Sequence, residues 1–201
     1  MSSGKRSCPY KGKQCKRAQC PRSGCGFRAL MDKVQKYRRR YGQNDHQIMN
    51  SLLNQIQNRW NMLASRAPGK AIGTVFENFI FNDLRGRQGR TVIVCKGSRK
   101  NRVYIMGVPL YTPDLLVYDA NTKRLRTIVE IKIYASAQDI MAILALILSQ
   151  SAKVALVTFH DVRGDLRKAL QQMQANWQGQ FRYFCVVESP SAALNGLAAF
   201  V

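Results

Sequence analysis

Acidic side chains are scarce in this chain, with 11 Asp and Glu against 32 Lys and Arg in 201 residues and a net charge of +21. Glutamate occurs only three times, at Glu77, Glu130 and Glu188. Long apolar runs are missing as well: the longest, Ile140 to Leu148, is too short to span a bilayer and sits in the pattern of a core helix. The N-terminus is polar and basic with no apolar stretch behind it, so no secretory signal is visible and an intracellular location is expected, in cytoplasm or nucleoid, or in the host cell if the chain is viral. A nucleotide-cradling glycine loop is absent too, because Arg85 to Arg90 lacks the order of a P-loop and reads as a basic turn. Histidine is limited to His46 and His160. His160 follows a strand end and could sit near a functional site, but a lone histidine is ordinarily a surface or capping residue, which is the expectation for it.

The positive charge far exceeds what solubility requires, and self-repulsion of that size opposes compaction. A polyanionic partner is the simplest reason to keep it, and DNA or RNA fits better than a membrane. The charge is uneven. Residues 1–42 hold thirteen Lys or Arg, one acid and four of the six cysteines, whereas the remainder is richer in aliphatic residues. A boundary is therefore expected near Gly42 to Asp45, separating a basic Cys-rich arm with its helix (1–42) from a main domain (43–201).

In the arm, Cys8, Cys15, Cys20 and Cys25 follow the pattern C-x6-C-x4-C-x4-C among Lys11, Lys13, Lys16, Arg17 and several Pro and Gly turn formers. So short and polar a segment cannot build a core alone. One tetrahedral zinc held by four thiolates would staple it, leaving the basic residues facing a phosphate backbone. Two disulfides, an iron–sulfur cluster and free thiols are the alternatives, since the C-x2-C pairs of common zinc modules are lacking. Cys95 and Cys185 lie in strand-like runs and read as buried small hydrophobes. Beyond the arm, Phe27, Leu30, Met31, Val34, Tyr37 and Tyr41 recur at helical spacing, with Arg38, Arg39 and Arg40 near the end. That pattern predicts an amphipathic helix whose basic face contacts phosphate, or is merely solvated. A second helix is predicted from Asn44 or Asp45 to Leu63, and the last residues, 189–201, offer only a small apolar tail.

The most informative stretch is residues 111–134, which predicts a β-hairpin with strands over 114–118 and 125–133. A turn of two or three residues makes paired positions sum to 243 or 244, placing Asp114 opposite Val129 or Glu130. Glu130 and Lys132 are two apart and share one strand face, while Val129, Ile131 and Ile133 share the other. Two acids and one lysine gathered on one face imply an ion-pair cluster or a divalent cation, because adjacent carboxylates repel when buried. Mg²⁺ takes one or two carboxylates and retained waters, and a neighbouring lysine can orient or deprotonate a water. The alternative is a surface hairpin whose charges simply face solvent.

Pro113-Asp114 followed after fifteen residues by Glu130-Ile131-Lys132 resembles the PD-(D/E)xK motif of the restriction-endonuclease-like nucleases. Many members of that superfamily add an acid from the preceding helix, and Glu77 stands in such a helical pattern, bordering the stripe of Gly73, Ile80, Phe81 and Leu84. Predicted helices over 138–150 and 162–177 and strands over 153–159 and 181–187 complete an α-β-β-β-α-β order that is similar to the superfamily core. The resemblance covers roughly residues 69–187 and includes features of archaeal Holliday-junction resolvases and of restriction-type members. The Gln-x3-Tyr element of its exonuclease branch is missing.

The resemblance implies an α/β fold, a restriction-endonuclease-like αβββαβ core with a mixed central sheet, preceded by a helical region and the Cys-rich arm. It implies a Mg²⁺- or Mn²⁺-dependent DNA endonuclease leaving 5′-phosphate and 3′-hydroxyl ends. Asp114 and Glu130 would hold the metal, Glu77 would complete the site through water, and Lys132 would activate the attacking water. Lys11, Lys13, Lys16, Arg17, Arg38, Arg39 and Arg40 would grip DNA. No membrane partner is expected, and a homodimer would supply the two sites that double-strand cutting requires. From another class, a non-catalytic zinc-stabilised nucleic-acid-binding protein fits the same charge.

Overall fold

The computed structural model describes residues 26–62, 68–87, 89, 91–98, 103–105 and 108–201. Among these the order is α1 (Gly26–Arg38), α2 (Gln43–Met62), α3 (Pro68–Arg87), β1 (Val92–Lys96), β2 (Val103–Ile105), β3 (Val108–Tyr111), β4 (Leu115–Asp119), β5 (Leu125–Lys132), α4 (Ala137–Ser149), β6 (Lys153–Thr158), α5 (Gly164–Asn176), β7 (Phe181–Cys185) and α6 (Pro190–Phe200). The fold is α/β with an open five-stranded mixed sheet in the order β1-β4-β5-β6-β7. Antiparallel pairing joins β1 to β4 and β4 to β5, whereas β5–β6 and β6–β7 are parallel. Parallel neighbours need crossovers, and α4 and α5 are those crossovers. A two-stranded antiparallel unit, β2–β3, interrupts the chain between β1 and β4.

Helices cover both faces of the sheet. On one, Leu115, Val117, Val129, Ile131, Ala155 and Val157 pack with residues of α1, α2, α3 and α6. On the other, Leu116, Ile128, Val154 and Leu156 meet Ile140, Ile143, Leu146 and Ile147 of α4 and Leu170 and Met173 of α5. The period-2 alternation of β4, β5 and β6 thus feeds two separate cores, which explains their near-continuous apolar character. The start of α4 is fixed by a capping box in which Ser136 accepts from the Asp139 amide and Asp139 accepts from the Ser136 amide.

Three local expectations change. Residues 189–201 form α6 instead of an apolar tail, with Pro190 at its first turn and Ala193, Leu194, Leu197 and Phe200 buried. The stretch read as a basic turn contributes Arg85 to Arg87 to the last turn of α3. His160, expected at the surface, is 1% exposed. Cys185 is buried as expected, while Cys95 is only half-buried. The proposed boundary near Gly42 falls between α1 and α2, yet Leu30, Val34, Tyr37 and Tyr41 join the same core as α2 and α3. Cys8, Cys15, Cys20, Cys25, Lys11, Lys13, Lys16 and Arg17 lie outside the described residues. No helix among the described residues is long and apolar enough to cross a membrane.

Candidate active site

The hairpin brings its charges together. Leu115 pairs with Val129, Leu116 with Ile128 and Val117 with Thr127, and a bulge shifts the last pair to Tyr118 with Leu125. Both anticipated sums, 244 and 243, therefore occur. Continued by one residue, the main register sets Asp114 against Glu130. The Asp114 amide donates to Glu130 Oε1 at 3.3 Å, and the Ile131 amide donates to Asp114 Oδ2 at 2.7 Å. Each carboxylate is thus aimed by the other strand's backbone. Lys132 Nζ lies 3.4 Å from Asp114 Oδ2 and 3.2 Å from Glu130 Oε2.

Glu130 is 1% exposed, so its carboxylate does not face solvent as a surface hairpin would require, while Asp114 and Lys132 are partly exposed. Burying an ion in this way costs several kcal/mol unless a cation compensates, and Lys132 is that cation. Burial pulls the Lys132 pKa down, but Glu130 and Asp114 outweigh it and hold the ammonium above its ordinary value.

Two further residues complete the surroundings. Glu77 on α3 is half-buried; burial, then the nearby Asp114, raise its pKa, with Lys96 and Lys132 opposing. Lys96, the last residue of β1, lies 3.8 Å from Glu77 and donates to Asn78 Oδ1. Sequence reasoning missed Lys96, because only the β1–β4 pairing, which matches Lys96 to Leu115 across the β2–β3 insertion, brings it here. The same pairing explains Gly97, whose amide donates to the Asp114 carbonyl at 2.9 Å. Three acids and two lysines leave this corner with one net negative charge in a strongly basic protein.

The three acids do not converge fully. No group of three or more His, Cys, Asp or Glu side chains that could hold a metal occurs among the described residues. The layers account for this: by alternation Glu130 and Lys132 belong to the face bearing Ile128 and α4, whereas α3, carrying Glu77, packs on the opposite face. A Mg²⁺ site of two carboxylates completed by waters fits Asp114 and Glu130; a three-acid cage does not fit.

Arg38, the last residue of α1, and Arg39 and Arg40 just beyond it are exposed. The helix is anchored through Lys33, which donates to Asp161 Oδ1 at 2.7 Å just after β6. Although burial works against it, Asp161 is held well below the usual carboxylate range by hydrogen bonds from Lys33, Arg163 and Tyr37. No protein-family model, curated protein or solved structure matches this chain.

Proposed function

We propose that the protein is a Mg²⁺-dependent DNA endonuclease of the restriction-endonuclease-like class, structure-specific or restriction-type, with Asp114, Glu130 and Lys132 at its centre. The observation that carries this reading is the reciprocal pairing of Asp114 and Glu130 around the Lys132 ammonium, with Glu130 buried. The sheet order, with only β4 antiparallel to the rest, agrees with the αβββαβ core that the motif implies.

Asp114 and Glu130 would hold Mg²⁺, and Glu77 would act at one remove, through water. The ion would supply a water of lowered pKa and charge to offset the phosphate. The chain's own groups account for the rest. Lys132 is kept protonated chiefly by the two carboxylates; a cation that took up their charge would remove most of that upward pull and leave burial, which lowers the pKa, opposed by Asp139, so that the amine would be freer to orient and deprotonate the attacking water. Lys96, held by Glu77 and Asn78, faces the same corner as a second positive charge for a phosphate oxygen. The products would be a 5′-phosphate and a 3′-hydroxyl.

A second reading draws on a different observation. In this arrangement the hairpin satisfies its own charges, since Ile131, Asp114 and Lys132 already contact the two carboxylates. A non-catalytic nucleic-acid-binding protein could use such a cluster to hold strand register. Asp114→Ala and Lys132→Ala separate the two: the nuclease reading predicts that both abolish cleavage while sparing DNA binding, and normal cutting by either variant refutes the site.

A further inference from the structure

The alternation that places Glu130 and Lys132 on one face of β5 continues past the strand end to Tyr134, two residues or about 6.6 Å further on. The parallel neighbour extends equally far: the Phe159 amide donates to the Lys132 carbonyl and the His160 amide to the Ile133 carbonyl, both at 3.0 Å. Tyr134 and His160 thereby become lateral neighbours, and their rings stack with centroids 4.1 Å apart and planes 13° apart. His160 is 1% exposed and, among the described residues, neither of its ring nitrogens has a hydrogen-bond partner; Tyr134 stacks on its face and Phe159 stands edge-on at 5.1 Å. Tyr134, by contrast, is 57% exposed.

An aromatic ring fixed on one face and open on the other, beside a lysine, is the arrangement that receives a nucleobase. Lys132 lies two residues before Tyr134 on the same strand face, and Lys33 of α1, paired with Asp161, is close enough to His160 to act on it electrostatically. Inside a duplex a base is already stacked on its neighbours, so only an unpaired base can present its face to a protein ring.

We propose that Tyr134, backed by His160, is a stacking platform for an unpaired nucleobase next to the phosphate attacked at the Asp114, Glu130 and Lys132 cluster, so that the substrate class is DNA with a single-stranded or splayed segment at the cleaved position. The proposal rests on the nucleic-acid half of the function given above.

The test uses the full chain in EDTA with oligonucleotides carrying 2-aminopurine in a single-stranded flap or within a blunt duplex. Wild type is expected to quench the flap probe and to bind it more tightly than the duplex. Tyr134→Leu, which still covers His160, should lose the quench and weaken flap binding on the order of tenfold, with duplex affinity and melting temperature unchanged. Tyr134→Phe should restore both. Quenching that survives in Tyr134→Leu, or wild-type binding of the flap without quenching, or no binding, overturns the platform. Cleavage by wild type in Mg²⁺, run in parallel with Asp114→Ala, keeps the two ideas separate: metal-dependent cutting lost in Asp114→Ala with an unchanged Tyr134→Leu quench leaves the nuclease and removes the platform, and the converse pattern leaves a platform on a non-catalytic binder.

Discussion

Replacing Gly97 by alanine should damage the site without touching any of its charged groups. A β-carbon on Gly97 would stand 1.5 Å from the Pro113 carbonyl oxygen and 2.7 Å from the Pro113 carbonyl carbon, both backbone atoms. Real β-carbon contacts essentially never fall below 3.0 Å, so the chains must part by about 1.5 Å. That displacement stretches the 2.9 Å bond from the Gly97 amide to the Asp114 carbonyl beyond hydrogen-bonding range and moves Asp114 relative to Glu130. Overpacking costs about 1–3 kcal/mol and the lost hydrogen bond about 1 kcal/mol more. For a chain of this size that corresponds to a melting temperature lower by roughly 4–15 °C. An ångström of misplacement at a reacting centre costs on the order of a hundredfold in rate, so cleavage should fall by at least that factor at temperatures where the variant is still folded. Thermal melting followed by circular dichroism, and cleavage at 20 °C, measure the two effects. A Gly97→Ala protein that melts and cuts like wild type would refute the claim that this contact positions Asp114.

Other consequences are open to measurement. Burial, with Lys33 adding to it and Asp161 opposing, lowers the His160 pKa from 6.5 to about 4. The unfolded chain therefore takes up a proton before the folded one does, and stability should decline by about 3 kcal/mol as pH falls from 6.5 through 4. His160→Phe should flatten that limb in melts collected across the range, and an unchanged acid limb would show that another group causes it. Replacing Arg38, Arg39 and Arg40 together by alanine should weaken DNA binding and lower the slope of log affinity against log salt by up to about 3, with cleavage recovering at high protein concentration. An unaltered salt slope would place the phosphate contacts elsewhere.

Much of the site was legible because its parts are local. Asp114 and Glu130 are related by one hairpin, and strand alternation together with turn length suffices to bring them face to face. Glu77 was recognisable as an acid bordering an apolar stripe, and Phe76, Ile80 and Leu84 are indeed buried beside it. What periodicity could not convey was the layer in which that helix lies, and hence why Glu77 stops short of joining the other two acids. Lys96 and Gly97 reach Asp114 only through the β1–β4 pairing, which spans the β2–β3 insertion and leaves no short-range signal. Small residues hid α6: Ala193 and Gly196 dilute its apolar pattern, although Leu194, Leu197 and Phe200 anchor it in the core. His160 misled for a related reason, since a single histidine after a strand carries no mark of the ring that will cover it.

Cleavage itself tests the central claim most directly. Matched duplex, single-stranded, flap and four-way-junction DNA should be incubated with wild type and with Asp114→Ala, in Mg²⁺ and in EDTA. The account predicts cutting of at least one substrate by wild type in Mg²⁺, none in EDTA and none by Asp114→Ala, with binding retained by the variant. Tight binding by wild type with no cutting of any substrate in Mg²⁺ would contradict it and leave the hairpin charges a structural role.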